Sequence, residues 1–134
     1  GVSLKNKNLL LAIGSRALDD VAKFYIAKGA NVYARIIATP ESILNGFSSC
    51  IDNSKLAIFN PSKFEENNIE IHLCKFWSIN YILCRDSGGY SQKHWENISR
   101  KTNIKLFLLK RPELKQNKLI FSDFDELIES MTII

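Results

Sequence analysis

The chain has 134 residues, 46% of them hydrophobic, which is enough to bury the core of one domain. Its 18 Lys and Arg against 14 Asp and Glu leave a formal charge of +4, with both signs interspersed, so a basic nucleic-acid stripe is excluded while anionic ligands are mildly favoured. The longest N-terminal apolar run, Leu9 to Ile13, is too short to span a bilayer; Cys50, Cys74 and Cys84, odd in number and without a CxxC pair, point to reduced thiols in a cytoplasmic setting and to no metal site.

Short apolar runs alternate with segments of helical spacing. Asn8 to Ile13 predicts a first strand. Leu18, Val21, Ala22 and Tyr25 fall on one face of a helix that Gly29 closes in a left-handed cap. Val32 to Ile37 predicts a second strand. Thr39-Pro40-Glu41 supplies an N-cap, a first-turn proline and an acid near the positive helix end, with Ile43, Leu44 and Phe47 as the expected buried stripe. Lys55 to Phe59 reads as a third strand, and Asn60-Pro61 repeats the cap-and-proline start. Ile69, Ile71 and Leu73 alternate as in a strand, while Ile69, Leu73 and Phe76 suit a helix, which is the reading adopted. Tyr81 to Cys84 predicts a fourth strand, Ser91 to Thr102 a helix with Trp95 and Ile98 inward, and Ile104 to Leu109 a fifth strand. Lys118 to Phe121 reads as a short extra strand. A last helix opens at Ser122, with Asp125 in a capping-box arrangement, and is expected to bury Phe124, Leu127, Ile128 and Met131.

This order predicts an α/β domain over residues 1–134: an open, doubly wound, mostly parallel sheet of about five strands with helices on both faces, Rossmann-like or flavodoxin-like. In such sheets ligands bind beyond the carboxyl ends of the strands. The polar and glycine residues that follow the strands are therefore expected on one rim: Gly14-Ser15-Arg16, Arg35 with Thr39 to Ser42 beyond it, Asn60-Pro61-Ser62, Arg85 to Gly89, and Arg111-Pro112. Gly14-Ser15-Arg16 fits a tight strand-to-helix turn and a ligand loop equally well. Arg35, a charge in an apolar strand, needs a partner or an exit to the crevice. Arg111 fits a solvated turn or an anion contact.

Asp86-Ser87-Gly88-Gly89 invites comparison with the nucleophile loop of serine proteases. A serine nucleophile needs a base within hydrogen-bond reach; of the two histidines, His72 falls on the third helix, and His94, one turn into the helix after the loop, faces solvent as readily as the loop. The β/α alternation also contradicts the double β-barrel of those enzymes. Paired glycines before a helix instead let backbone N–H groups approach a phosphate or carboxylate at the positive end of the helix dipole. A plain glycine-rich turn, with Asp86 or Ser87 satisfying loose N–H groups, is the competing account. A receiver domain would carry acids after the first strand and an aspartate after the third, where this chain has Gly14-Ser15-Arg16 and Asn60. A flavodoxin would carry a Ser/Thr-rich phosphate loop after the first strand.

The ordered set Gly14-Ser15-Arg16, Ala34-Arg35-Ile36-Ile37-Ala38-Thr39-Pro40-Glu41-Ser42, Asn60-Pro61-Ser62, Arg85-Asp86-Ser87-Gly88-Gly89, Lys93 and Lys110-Arg111-Pro112 resembles the C-terminal half of the precorrin-6x (precorrin-6A) reductases of cobalamin biosynthesis. Asn60 stands where that family favours glycine, Arg85 replaces the usual lysine, and Glu96-Asn97 replace a small pair after the helix lysine. The resemblance implies an oxidoreductase acting on a CH–CH bond, one lobe of a two-domain enzyme whose N-terminal lobe carries the nucleotide loop. It would take a hydride from NADPH (or NADH) and deliver it to a double bond of the precorrin-6A tetrapyrrole, or its cobalt form, giving precorrin-6B. It also places Gly14, Ser15, Arg16, Asp86, Ser87, Gly88 and Gly89 in the interlobe crevice, with Arg35, Lys93 and Arg111 suited to the macrocycle's carboxylates. A non-catalytic nucleotide- or anion-binding module is the alternative, and neither nucleic acid nor a membrane is expected as a partner.

Overall fold

The computed structural model describes residues 3–60, 68–85, 89–109 and 132–133. Strands β1 (Asn8–Ala12), β2 (Asn31–Ile36), β3 (Leu56–Ile58), β4 (Tyr81–Arg85) and β5 (Lys105–Leu109) are parallel. With β6 (Thr132–Ile133), which runs antiparallel to β5, they form one sheet in the order β3-β2-β1-β4-β5-β6. Helices α1 (Leu18–Ala27) and α2 (Pro40–Ser48) cover one face, and α3 (Asn68–Phe76) and α4 (Tyr90–Thr102) cover the other. This is the open, doubly wound Rossmann-like arrangement expected from the alternation, with strand ends within one or two residues of the expected ones. Among the described residues no helix is long and apolar enough to cross a membrane.

The strands read as continuous apolar runs because both faces are covered. Leu9, Leu11, Ala34, Ile36, Leu83 and Phe107 meet Leu18, Val21, Ala22 and Tyr25 of α1. The alternate residues Leu10, Ile82, Cys84, Leu106 and Leu108 meet Cys74 of α3 and Trp95 and Ile98 of α4. Local chemistry sets the helix ends. Gly29, at φ +91°, ends α1 as expected: its N–H donates to Ile26 O and the Ala30 N–H to Tyr25 O, the double bond pattern of a Schellman motif. Thr39 accepts from the Ser42 N–H at 3.2 Å ahead of Pro40, so α2 starts where its cap and proline predict.

The structure corrects the expected buried faces of two helices. In α2, Leu44 and Phe47 are 68% and 55% exposed, and the helix buries Ser42 and Gly46 instead. A β-carbon on Gly46 would lie 2.5 Å from Ile36 Cδ1 and 3.1 Å from Leu56 Cδ2, so α2 presses its backbone onto the sheet and the bulky residues turn outward. In α3 the helical reading holds, but Ile69 and Phe76 face solvent while Glu70 and Cys74 are buried. β6 was not expected. Two residues are too few to show a period. The helix start at Pro61, the strand at Lys118 to Phe121 and the helix from Ser122 lie outside the described residues. Asn60, expected as a cap for that helix start, accepts from the Ala38 N–H at 3.2 Å and so links the ends of β2 and β3.

Candidate functional site

β1 and β4 are neighbours in the sheet, paired at Ala12 and Cys84, yet β1 leads into α1 on one face and β4 into α4 on the other. The chain thus diverges at their carboxyl ends and leaves a crevice there, the topological switch point of an open α/β sheet. A cavity of about 360 Å³ occupies it. Ala12 to Arg16 form one wall, Glu41 and Ser42 of α2 a second, and Arg85 and Ser91 the third.

Gly14 sits at φ +81°, a left-handed conformation that strains other residues, and a β-carbon there would meet nothing within 4 Å. The backbone turn, rather than crowding, accounts for the glycine, and the space before it is the crevice. Arg85 lies across the rim, its Nε donating to Ile13 O at 2.6 Å, so a strand-end carbonyl orients the guanidinium. Ser15 is buried and held from α2: its hydroxyl accepts from Asn45 Nδ2 at 3.1 Å and lies 3.4 Å from Ser42 Oγ. Arg16 pairs with Glu41 at 3.3 Å, both side chains largely exposed. Such a pair contributes little in water, so an incoming anion can compete for the arginine.

Three helices start at this rim: α2 has its Thr39 cap and Glu41 in its first turn, and α1 and α4 differ from it and from each other. Neither Ala17 before α1 nor Gly89 before α4 supplies a side-chain cap. The first turn of α1 carries Asp19 and Asp20, which already oppose its positive dipole end, whereas the first turn of α4 carries no acid and includes Lys93. The α4 start is therefore the better anion seat.

Of the residues expected on the rim, Gly14, Ser15 and Arg16 line the crevice, and Gly89 caps α4 two residues before Ser91, which also lines it. Lys93 is exposed in the first turn of α4, outside the lining. Asp86, Ser87, Gly88 and Arg111 lie outside the described residues, although Arg85 and Gly89 bracket the first three. Arg35 is elsewhere. It is 6% exposed on the α3/α4 face, its guanidinium carbon 5.3 Å from the Trp95 ring centroid and 5.6 Å from that of Phe59. Burial pushes its pKa down from the ordinary arginine value, and the negative charge of Glu70 opposes that shift.

Sequence reasoning placed Arg85, Glu41 and Ser42 on the rim without naming them as ligand contacts, and it did not place Asn45 or Ser91 there. The signal for Arg85 was present, since it ends the strand beside β1 and precedes the glycine pair. Asn45 gave none, because a polar residue in the second turn of a helix resembles any solvated position.

With the geometry in place, the comparisons can be stated. A family profile described as "Precorrin-6x reductase CbiJ/CobK" matches residues 2–132. No curated protein and no solved structure matches the chain. The match spans nearly the whole sequence, so the chain belongs to the precorrin-6x reductase family, oxidoreductases of cobalamin biosynthesis that act on tetrapyrroles.

Proposed function

On the premise of that membership, we propose that this chain is one domain forming the C-terminal lobe of a two-domain reductase, converting precorrin-6A to precorrin-6B at the expense of NADPH or NADH. The observation that carries the reading is the crevice where β1 and β4 diverge, with Gly14, Arg16 and Arg85 at its edge and the acid-free start of α4 opening onto it.

These residues fit a ligand bearing phosphates or carboxylates. Open space before Gly14 lets a group approach the backbone, Arg16 and Arg85 offer charge-assisted hydrogen bonds, and the first amides of α4 add the dipole. The reduced nicotinamide supplies the hydride when bound. The protein's part is to seat the anionic groups, hold the reacting faces together and exclude water from between them. Gly14, Ser15, Arg16 and Gly89, with Asp86, Ser87 and Gly88 between Arg85 and Gly89, form this lobe's wall of the crevice. Lys93 and Arg111 meet the macrocycle's carboxylates further out. Ser15, locked to α2 by Asn45, fixes the turn that presents Gly14 and Arg16. An N-terminal lobe supplies the opposite wall.

NADPH oxidation in the presence of precorrin-6A, measured for the full-length protein, tests the proposal. Turnover is expected, and Ser87→Ala with Gly88→Ala should lower kcat/KM by about tenfold or more, the scale of losing a charge-assisted hydrogen bond. Unchanged turnover in the double variant removes that loop from the site. Binding of NADPH without turnover identifies the alternative, a non-catalytic anion-binding module.

A further inference from the structure

The α3/α4 side of the sheet contains charges that the crevice does not use. Arg35 projects from β2 on the same side as Tyr33, opposite to Ala34 and Ile36, and lies between Phe59 and the Trp95 ring of α4. Glu70 of α3 is fully buried. Its Oε1 lies 3.2 Å from Nε2 of His94, a buried residue one turn into α4, close enough for an ion pair although outside good hydrogen-bond alignment. With Arg35 over Trp95 and Glu70 beside His94, β2, α3 and α4 meet in one cluster.

Apolar burial does not explain this cluster. α3 turns Ile69 and Phe76 to solvent while Glu70 goes inward beside Cys74, so apolar area alone does not select its face. Among the described residues, the buried Arg35 Nε and Trp95 Nε1 meet no hydrogen-bond acceptor. A contact that leaves two donors unsatisfied is poor value for stability alone, and buried ion pairs are best accounted for where they fix an orientation. What this one can orient is α4, since His94 and Trp95 lie one turn beyond Gly89.

We propose that Arg35, Glu70 and His94 are positioning residues, a buried charge tie that holds the first turn of α4 at the carboxyl edge of the sheet and so sets the amides facing the crevice. Its consequence for ligand binding rests on the function proposed above; the tie itself does not.

Hydrogen exchange at residues 93–96 of the full-length, ligand-free protein, whose N–H groups donate back to the carbonyls of the first turn, reads the tie directly, and Glu70→Gln removes the charge with little change of shape. The expected result is exchange about tenfold faster at those amides, with β1 and β4 unchanged. His94→Gln, which keeps an N–H toward Glu70, should stay near the wild type. Should Glu70→Gln fail to fold, the apolar triple variant Arg35→Met, Glu70→Leu, His94→Phe replaces the cluster as a whole. It should keep the wild-type Tm and still show the faster exchange. Wild-type exchange at residues 93–96 in whichever variant folds overturns the proposal.

NADPH titration then tests the coupling. The triple variant should bind about tenfold more weakly and raise KM with kcat little changed. Unchanged affinity beside accelerated exchange overturns the link to the crevice. If the wild type itself does not bind NADPH, the functional reading fails and exchange alone decides the tie.

Discussion

The two faces of the sheet are built on different terms. The α1/α2 face is an apolar core in which Leu18, Val21 and Ala22 meet alternate strand residues, and where α2 crosses β2 and β3 its backbone closes onto Ile36 and Leu56. The α3/α4 face has an apolar centre around Trp95 and Ile98, but its edge over β2 is occupied by Arg35, Glu70 and His94. The first face is held by area and shape, which are non-directional. On the second, charge contributes direction as well. The helix on the charged side, α4, opens onto the crevice with no acid in its first turn, so the comparison separates a face that stabilises from one that also aims.

Single substitutions on each face sharpen the comparison. Glu70→Ala should have the largest effect, about 3–5 kcal/mol of lost stability by denaturant unfolding, because it strands the buried guanidinium of Arg35. Leu18→Ala, on the apolar face, should cost about 3 kcal/mol through lost burial and a residual cavity. The apolar triple variant discriminates the two kinds of construction, since the charged face should recover stability once all three polar residues go together, whereas no single change restores a truncated Leu18. Gly46→Ala should cost about 1–3 kcal/mol, because its β-carbon collides with Ile36 and α2 must lift from the sheet.

The remaining effect is alkaline. Cys74, near Glu70, and Tyr25, on the apolar face, are both pushed up to about 12, from 9.0 and 10.0. Burial is the first cause for each, and for Cys74 the negative charge of Glu70 adds to it. The unfolded chain loses these protons first, so it binds fewer of them than the folded chain across the window. Stability is therefore full below pH 9.0 and falls as pH rises toward about 12, by at most about 1.4 kcal/mol per pH unit for each group. Glu70→Gln should shrink the Cys74 part and leave the Tyr25 part, which unfolding at graded alkaline pH can separate.

The same contrast explains what the sequence made legible. Strand positions, the Schellman glycine, the Thr39 cap and the inward Trp95 and Ile98 follow from local period and turn chemistry, and the structure repeats them. The buried face of α3 was misread because period analysis counts apolar residues, and here an acid goes inward while Ile69 and Phe76 stay out. A clue existed in Arg35, a strand charge in need of a partner, but nothing in one dimension points from residue 35 to residue 70. α2 was misread because a count of apolar residues gives no weight to Gly46, whose missing side chain lets the backbone approach the sheet. At the site, the first glycine turn and the arginine ending β4 were legible as loops on one rim. That Arg85 bonds Ile13 O, or that Asn45 holds Ser15, depends on the helices' rotation, which local pattern does not encode.

The central claim is that the carboxyl ends of β1 and β4 with the start of α4 form an anion-accepting crevice. Amide chemical shifts of the labelled protein during NADPH titration test it most directly. The account predicts the largest changes at Gly14, Ser15, Arg85 and Gly89, with little at the Gly29 turn on the opposite edge. Saturable binding whose shifts leave those four residues unmoved and cluster elsewhere would contradict it.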